Sequence, residues 1–303
     1  IHQLRQYCDL PIDANARVAA SIHFFQTRGK ETFTTWMRRS GRYRRLILDV
    51  LAEEDLPRDF LYLAMIESGF NPKAYSRAKA VGLWQFMETT GRLEGLRRTH
   101  YVDERRDPDK STRAAARHLQ GLYRHFGDWR LAAAAYNGGR GRVSRAVDKA
   151  GSRSFWDLQL PRETANYVPL LMAATIISKD PEAFGFDLGK PDPPFASDVV
   201  YLTNPVKLAA AAKCSRCSEA DLRNLNPELR RSFTPPSPVK PYRLRVPQGS
   251  SKRFMACYNK LPPSQLLALE TYVVRRGDNV SSIAAELGVS TRVIIAANDM
   301  ANP

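Results

Sequence analysis

The sequence is short of several things, and each shortage excludes something. It has no apolar run long enough to cross a bilayer, since the longest stretch, Val168 to Ile177, falls well below the length a spanning helix needs. It has no amino-terminal targeting segment. It opens at Ile1 without a Met, so it reads as a trimmed or processed chain, with export left open. Histidine is scarce, and all five lie at or before His125. Cysteine is scarce too: Cys8, Cys214, Cys217 and Cys257 are the only four. Cys214-x-x-Cys217 invites a zinc reading, but a four-ligand site would have to recruit Cys8 or a carboxylate, so no metal is expected. In an exported protein a disulfide joining Cys257 to either Cys214 or Cys217 is expected, with unpaired buried thiols as the alternative. Zinc-finger spacing, RNA-recognition signatures and aromatic platforms are all missing, which argues against a nucleic-acid partner.

Positive charge is abundant. The chain carries 46 Lys and Arg against 31 Asp and Glu, a formal charge of +15, and its pI is about 9.9. A polyanionic partner follows, and an anionic glycan mesh suits it as well as nucleic acid does. The arginines come as scattered pairs, such as Arg38-Arg39, Arg44-Arg45 and Arg97-Arg98, which is the pattern of a solvated surface. The 303 residues, 43% of them hydrophobic, leave room for a catalytic domain and one or two small modules.

The stretch Leu61 to Phe70 carries the chemistry. It reads as the end of a helix stopped by Gly69 and followed by Asn71-Pro72. Phe60, Leu63, Ala64 and Glu67 fall at helical spacing on one face, which places a carboxyl where a hydrophobe belongs. Burial and the negative end of the helix dipole both raise the pKa of such a group. A glutamate kept protonated near neutral pH is suited to general acid work. The bland alternative is a surface glutamate at a frayed helix end, and three later segments weigh against it.

Residues 1–52 read as a helical leader packed on the core, with Val18, Ile22 and Phe25 at helical spacing and a further helix from Tyr43 to Leu51. Asp55-Leu56-Pro57 is expected to cap and open the key helix. Ala80 to Phe86 brings Gly82 for close backbone approach, Trp84 as a flat apolar face, and Gln85 as donor and acceptor. Such a pair suits a sugar, and a buried indole is the alternative. Asp103 to Pro108 reads as a structural loop of internal ion pairs. Helices are expected over Ser111–Phe126, Trp129–Tyr136 and Glu163–Ser178. The second of them presents Tyr136 and Asn137 at its end, and Tyr167 lies near the start of the third. Proline-rich sequence from Pro181 to Pro194 marks a boundary. Two small units follow. Residues 198–247 weakly echo residues 271–303: Tyr242 to Pro247 reads as a closing strand, and Tyr272 to Asn279 reads as strand, turn and helix cap.

Taken together, Ile66-Glu-Ser-Gly69, Gly82-Leu-Trp-Gln85, Ala135-Tyr-Asn137 and Glu163-Thr-Ala-Asn-Tyr-Val168 stand in the order that resembles family 1 lytic transglycosylases. Trp84 and the Asp103–Pro108 loop look most like the membrane-bound transglycosylase D branch, with LysM modules at the carboxy end. The resemblance implies a mainly α, goose-type lysozyme-like domain over 53–186, a divergent LysM-like module over 197–247 and a truncated LysM module over 271–303. It implies cleavage of the β-1,4 bond between N-acetylmuramic acid and N-acetylglucosamine in peptidoglycan without water, leaving a 1,6-anhydro end. Glu67 would be the single acid and base. Ser68, Trp84, Gln85, Phe86, Tyr136, Asn137 and Tyr167 would bind substrate, and no cofactor is needed. The implied setting is the periplasm of a Gram-negative bacterium, with possible membrane attachment through a lipid anchor not present in this chain. A hydrolytic muramidase and a non-catalytic wall-binding scaffold are the alternatives. Some positions depart from the family pattern. Glu88 stands where Pro is common, Gly138-Gly139 replaces Ala-Gly, and Asn279-Val280 stands where LysM modules prefer Thr-Leu. The 197–247 unit lacks the Gly-Asp turn, which counts against glycan binding there.

Overall fold

A computed structural model of the chain describes residues 5–236, 241–266, 272–298 and 300. It divides into two compact units, one made of residues 1–96 and 108–194, the other of 97–107 and 195–303. Among the described residues there are thirteen α-helices and one two-stranded sheet.

The first unit is helical throughout. Helix α1 (Ala16–Gln26) starts at Asn15, whose side chain accepts from the amides of Arg17 and Val18. That cap satisfies two of the four donors a helix start leaves open. Val18, Ile22 and Phe25 are its buried face, as their spacing predicts. Helix α2 (Lys30–Glu53) buries Phe33, Tyr43, Ile47, Val50 and Leu51 at similar spacing. Asp55 does not cap the next helix. It sits in the left-handed region at φ 51°, within the turn whose amides of Glu54, Asp55 and Leu56 take the last carbonyls of α2. The acidic residue that sequence assigns to a helix start therefore closes the previous helix.

Helix α3 (Leu61–Ser68) follows a single 3-10 turn over Arg58–Phe60. Its first five residues, Leu61 to Met65, are all buried, and only the last turn, Ile66 to Ser68, is partly open, so the expected one-sided amphipathic pattern gives way to a central helix with an accessible end. It packs against α2 and α8. Gly69 ends it in the left-handed conformation, φ 57°. A Cβ there would stand 2.2 Å from the Trp36 ring, so both backbone and packing demand glycine.

Two short bridges, Tyr75 with Val81 and Val81 with Phe86, shape the segment after α3. Helices α4 (Glu88–Leu93), α5 (Pro108–Phe126), α6 (Trp129–Gly138) and α7 (Arg140–Ala150) follow. Asp128 caps α6 by accepting from Arg130 and Leu131. The last helix of the unit, α8 (Arg162–Lys179), contains Pro169. Proline has no amide to offer the carbonyl four residues back. The Arg17 guanidinium on α1 bonds that carbonyl, Ala165 O, instead.

In the second unit, β1 (Ser197–Leu202), α9 (Leu208–Ser215), α10 (Glu219–Leu225) and β2 (Tyr242–Pro247) form a βααβ module. The strands are antiparallel, with Val199 opposite Arg245 and Val200 opposite Leu244. Ser218 and Asp221 make a reciprocal capping box at the start of α10. Helix α11 (Ser251–Tyr258) is tied to α9 by a disulfide between Cys214 and Cys257. That decides the open pairing, since Cys217 and Cys8 remain thiols. The bridge closes a loop of 43 residues, for which chain entropy gives a stabilisation on the order of 4 kcal/mol. Helices α12 (Val280–Glu286) and α13 (Thr291–Ala297) stand where the sequence places them, with Asn279 capping the first. The strand expected at Tyr272–Arg276 does not form, because a strand is stable only with a partner and the described residues nearby offer none.

Candidate active site

The site is built around the last turn of α3. Glu67 lies one residue before the end of that helix and keeps part of its surface open. Its Oε1 accepts a hydrogen bond of 2.5 Å from the Tyr167 hydroxyl on α8. Its pKa is raised to about 7. Burial is the largest cause, the Tyr167 hydrogen bond opposes it, and the Glu163 carboxylate adds to the rise. The carboxyl is therefore poised to hold or release a proton near neutral pH.

Two phenols adjoin it electrostatically. Burial pushes both the Tyr167 and Tyr136 hydroxyls well above their ordinary range, and the Glu67 charge pushes them further. They stay protonated and act as donors. The Tyr136 hydroxyl donates to the Trp84 carbonyl at 2.8 Å. Its ring meets Phe86 at 6.2 Å and His118 at 5.5 Å, and the His118 Nδ1 lies 2.9 Å from a Glu94 carboxylate oxygen.

Asn137 is fixed at both ends of its amide. Its Oδ1 accepts from the Thr164 hydroxyl at 2.8 Å, and its Nδ2 donates to Glu163 at 3.3 Å. The close approach that makes this possible comes from Gly138, where a Cβ would stand 2.8 Å from the Thr164 side chain. Ser68 ties the helix end to the following loop. Its hydroxyl donates to the Leu83 carbonyl at 2.8 Å and accepts from the Asn71 amide at 3.3 Å.

Two expectations change. Trp84 offers no flat face to a sugar. It is 0% exposed and its Nε1 donates to the Thr112 hydroxyl at 2.9 Å, so it is a core residue. Phe86 is likewise buried and reaches the site as the wall behind Tyr136. Gln85 turns at φ 48° and its amide donates to the Gly82 carbonyl at 2.9 Å, so it braces the turn and remains partly open. Sequence reasoning gave Glu163 no role, although Glu163 and Tyr167 are four apart on one helix and must share a face. It also missed Thr164 and the Glu94–His118 pair, for which the sequence carries no signal. Among the described residues, no group of three or more His, Cys, Asp or Glu could hold a metal ion.

Three family models match the chain. Residues 50–159 match the Transglycosylase SLT domain, 196–262 match the family described as Lytic transglycosylase MltD, LysM-like domain, and 272–303 match the LysM domain. The chain is 35% identical over 272 residues to the membrane-bound lytic murein transglycosylase D of Escherichia coli (strain K12), covering 84% of this chain and 59% of that protein. It is 36% identical over 123 residues to the peptidoglycan transglycosylase gp16 of Escherichia phage T7, covering 40% of this chain and 9% of the phage protein. Among solved structures, the 70 kDa soluble lytic transglycosylase of Escherichia coli aligns over 45% of this chain and 24% of its own length, with 27% identity and a TM-score of 0.40.

Proposed function

The chain belongs to the lytic transglycosylases, in the membrane-bound transglycosylase D branch with carboxy-terminal LysM modules, and on that premise we propose that it cleaves the β-1,4 bond between N-acetylmuramic acid and N-acetylglucosamine in peptidoglycan without water. Glu67 is the acid and the base. Protonated Glu67 gives its proton to the glycosidic oxygen as the bond to C1 breaks. The N-acetyl group of the muramoyl sugar stabilises the positive charge at C1. The C6 hydroxyl then attacks C1, and the Glu67 carboxylate takes that hydroxyl's proton. Glu67 ends as it began, and the product carries a 1,6-anhydro ring.

One observation supports this reading above the rest. A carboxyl with a pKa near 7 stands at the end of a buried helix with a phenol, and no cation, hydrogen-bonded to it. A group that must both give and accept a proton works best with its pKa near the working pH. Tyr167 orients the carboxyl. The Asn137–Glu163–Thr164 cluster holds the substrate's N-acetyl or a sugar hydroxyl through the remaining donor of Asn137. Ser68, Gln85 and Tyr136 brace the walls.

The substrate lies in the envelope, and the oxidised Cys214–Cys257 pair suits an oxidising compartment. No helix among the described residues is long and apolar enough to cross a membrane. Location in the periplasm, with attachment through a lipid anchor outside this sequence, is part of the proposal.

The test is digestion of purified sacculi followed by product masses. Non-hydrolytic cleavage gives muropeptides one water lighter than a muramidase gives. Products of the heavier mass overturn the reading in favour of hydrolysis, and no products at all favour a wall-binding scaffold.

A further inference from the structure

Residues 97–107 lie within the stretch that matches the transglycosylase domain, yet they are built into the second unit. Three kinds of interaction hold them there. On the backbone, the Asp103 amide donates to the Glu228 carbonyl and the Arg230 amide to the Tyr101 carbonyl, each at 2.8 Å. These flank a bridge between Val102 and Leu229. In the apolar layer, Val102 is 5% exposed and sits in one core cluster with Leu222, Leu229 and Leu244, while the Tyr101 ring meets Phe233 at 5.6 Å. In the ionic layer, Arg245 on β2 is buried between two carboxylates, with Asp107 at 2.7 Å and Glu228 at 3.5 Å.

The segment facing the loop is committed to it. Arg230 bonds the Thr99 carbonyl, and Arg231 bonds the His100 carbonyl at 3.2 Å and the His100 ring at 2.9 Å. Asn226 joins the same framework to β2, accepting from the Arg245 amide at 2.8 Å and donating to the Arg245 carbonyl at 2.7 Å. Buried ionic groups of this kind fix one arrangement, because an alternative packing leaves a charge unpaired in an apolar setting.

We propose that the divergent module at 196–262 is a clamp on residues 97–107, and that this loop, not a glycan, occupies its 226–233 segment. Wall binding by the carboxy-terminal region then falls to residues 272–303. The loop leads into Pro108, the first residue of α5, and the chain passes between the two units three times, at 96/97, 107/108 and 194/195. The clamp does not depend on the catalytic reading, and its test needs no turnover.

Hydrogen exchange read by mass spectrometry on the whole chain decides it. In Val102→Ala, which thins the apolar plug, and in Arg245→Met, which removes the buried cation, exchange should quicken at least tenfold in 97–107 and 226–233 together. Peptides from α6 and α8 should keep their rates. Oligosaccharides of N-acetylglucosamine added to the unaltered chain should leave 226–233 unchanged. The milder Val102→Ala keeps the test readable if Arg245→Met unfolds the unit. Protection of 226–233 that persists while 97–107 opens, or slowing of exchange in 226–233 by the oligosaccharide, overturns the proposal.

Discussion

Two carboxyls stand at the two ends of one helix, and they are treated in opposite ways. Asp59, in the turn before α3, is 1% exposed. It accepts from the amides of Asp9 and Leu10 at 2.6 and 3.2 Å and from Lys179 Nζ at 2.6 Å. It also sits at the positive end of the helix dipole. Glu67, at the negative end, has a phenol for a partner and a second carboxylate nearby. The first arrangement gives the carboxyl two amides and a cation and fixes the leader onto the helix start. The second makes the charge costly and leaves a proton available. The lesson is that the partner matters as much as the burial: a phenol in place of a cation leaves Glu67 with a pKa raised to about 7. The second unit repeats the structural pattern, with Asp103 paired to Arg105 at 2.7 Å and Asp107 to Arg245 at 2.7 Å, all buried.

The contrast can be broken experimentally at several points. The largest effect is expected at Glu67. Glu67→Gln keeps the acceptor for Tyr167 and loses the proton, so cleavage of sacculi should fall by about 10³-fold or more while the protein still sediments with them. Retained cleavage would remove Glu67 from its role.

Asp59→Asn should do the reverse. It leaves Lys179 without its charge partner in a largely buried setting, costing about 3 kcal/mol of stability, as read by denaturant unfolding. The specific activity of the folded fraction should stay within a few-fold of the parent. A loss of activity matching that of Glu67→Gln would erase the distinction between the two ends.

Next comes the pH dependence of stability. Because the folded pKa of Glu67 is raised to about 7, the native state holds its proton more tightly than the unfolded chain. That contribution is fully present below the unfolded value and is lost as pH rises to about 7. Glu67→Gln should therefore be nearly neutral at pH 4 and stabilising at pH 8, by about 2 kcal/mol once partial solvent access is allowed for. Equal effects at the two pH values would show an unshifted carboxyl.

The smallest effect is expected at Tyr167. Its hydrogen bond favours the Glu67 carboxylate, so Tyr167→Phe should move the alkaline limb of the pH–rate profile upward and slow the reaction modestly. A downward move would give the phenol the opposite role.

Much of this was legible in the sequence, and the failures have physical causes. The helix stop at Gly69, the helices read over 111–126 and 163–178, which run to 108–126 and 162–179, and the closing strand Tyr242–Pro247 follow from periodicity and turn residues. Asp55 was misplaced because an acidic residue before Leu-Pro suits either the end of one helix or the start of the next, and only the carbonyls of α2 decide which. Trp84 reads equally as platform or core, and the choice rests on Thr112, a hydroxyl 28 residues away. The pairing of Cys257 with Cys214 over Cys217 depends on how α9 and α11 pack. The partners of residues 97–107 lie more than a hundred residues downstream, beyond the reach of any local pattern.

The central claim is that Glu67 carries a proton near neutral pH. Titration of the glutamate side-chain carbons by ¹³C NMR tests it directly, with Glu67 assigned by its absence in Glu67→Gln. The account predicts a midpoint near 7 for that one resonance. A midpoint near the 4.5 of an ordinary glutamate would contradict it.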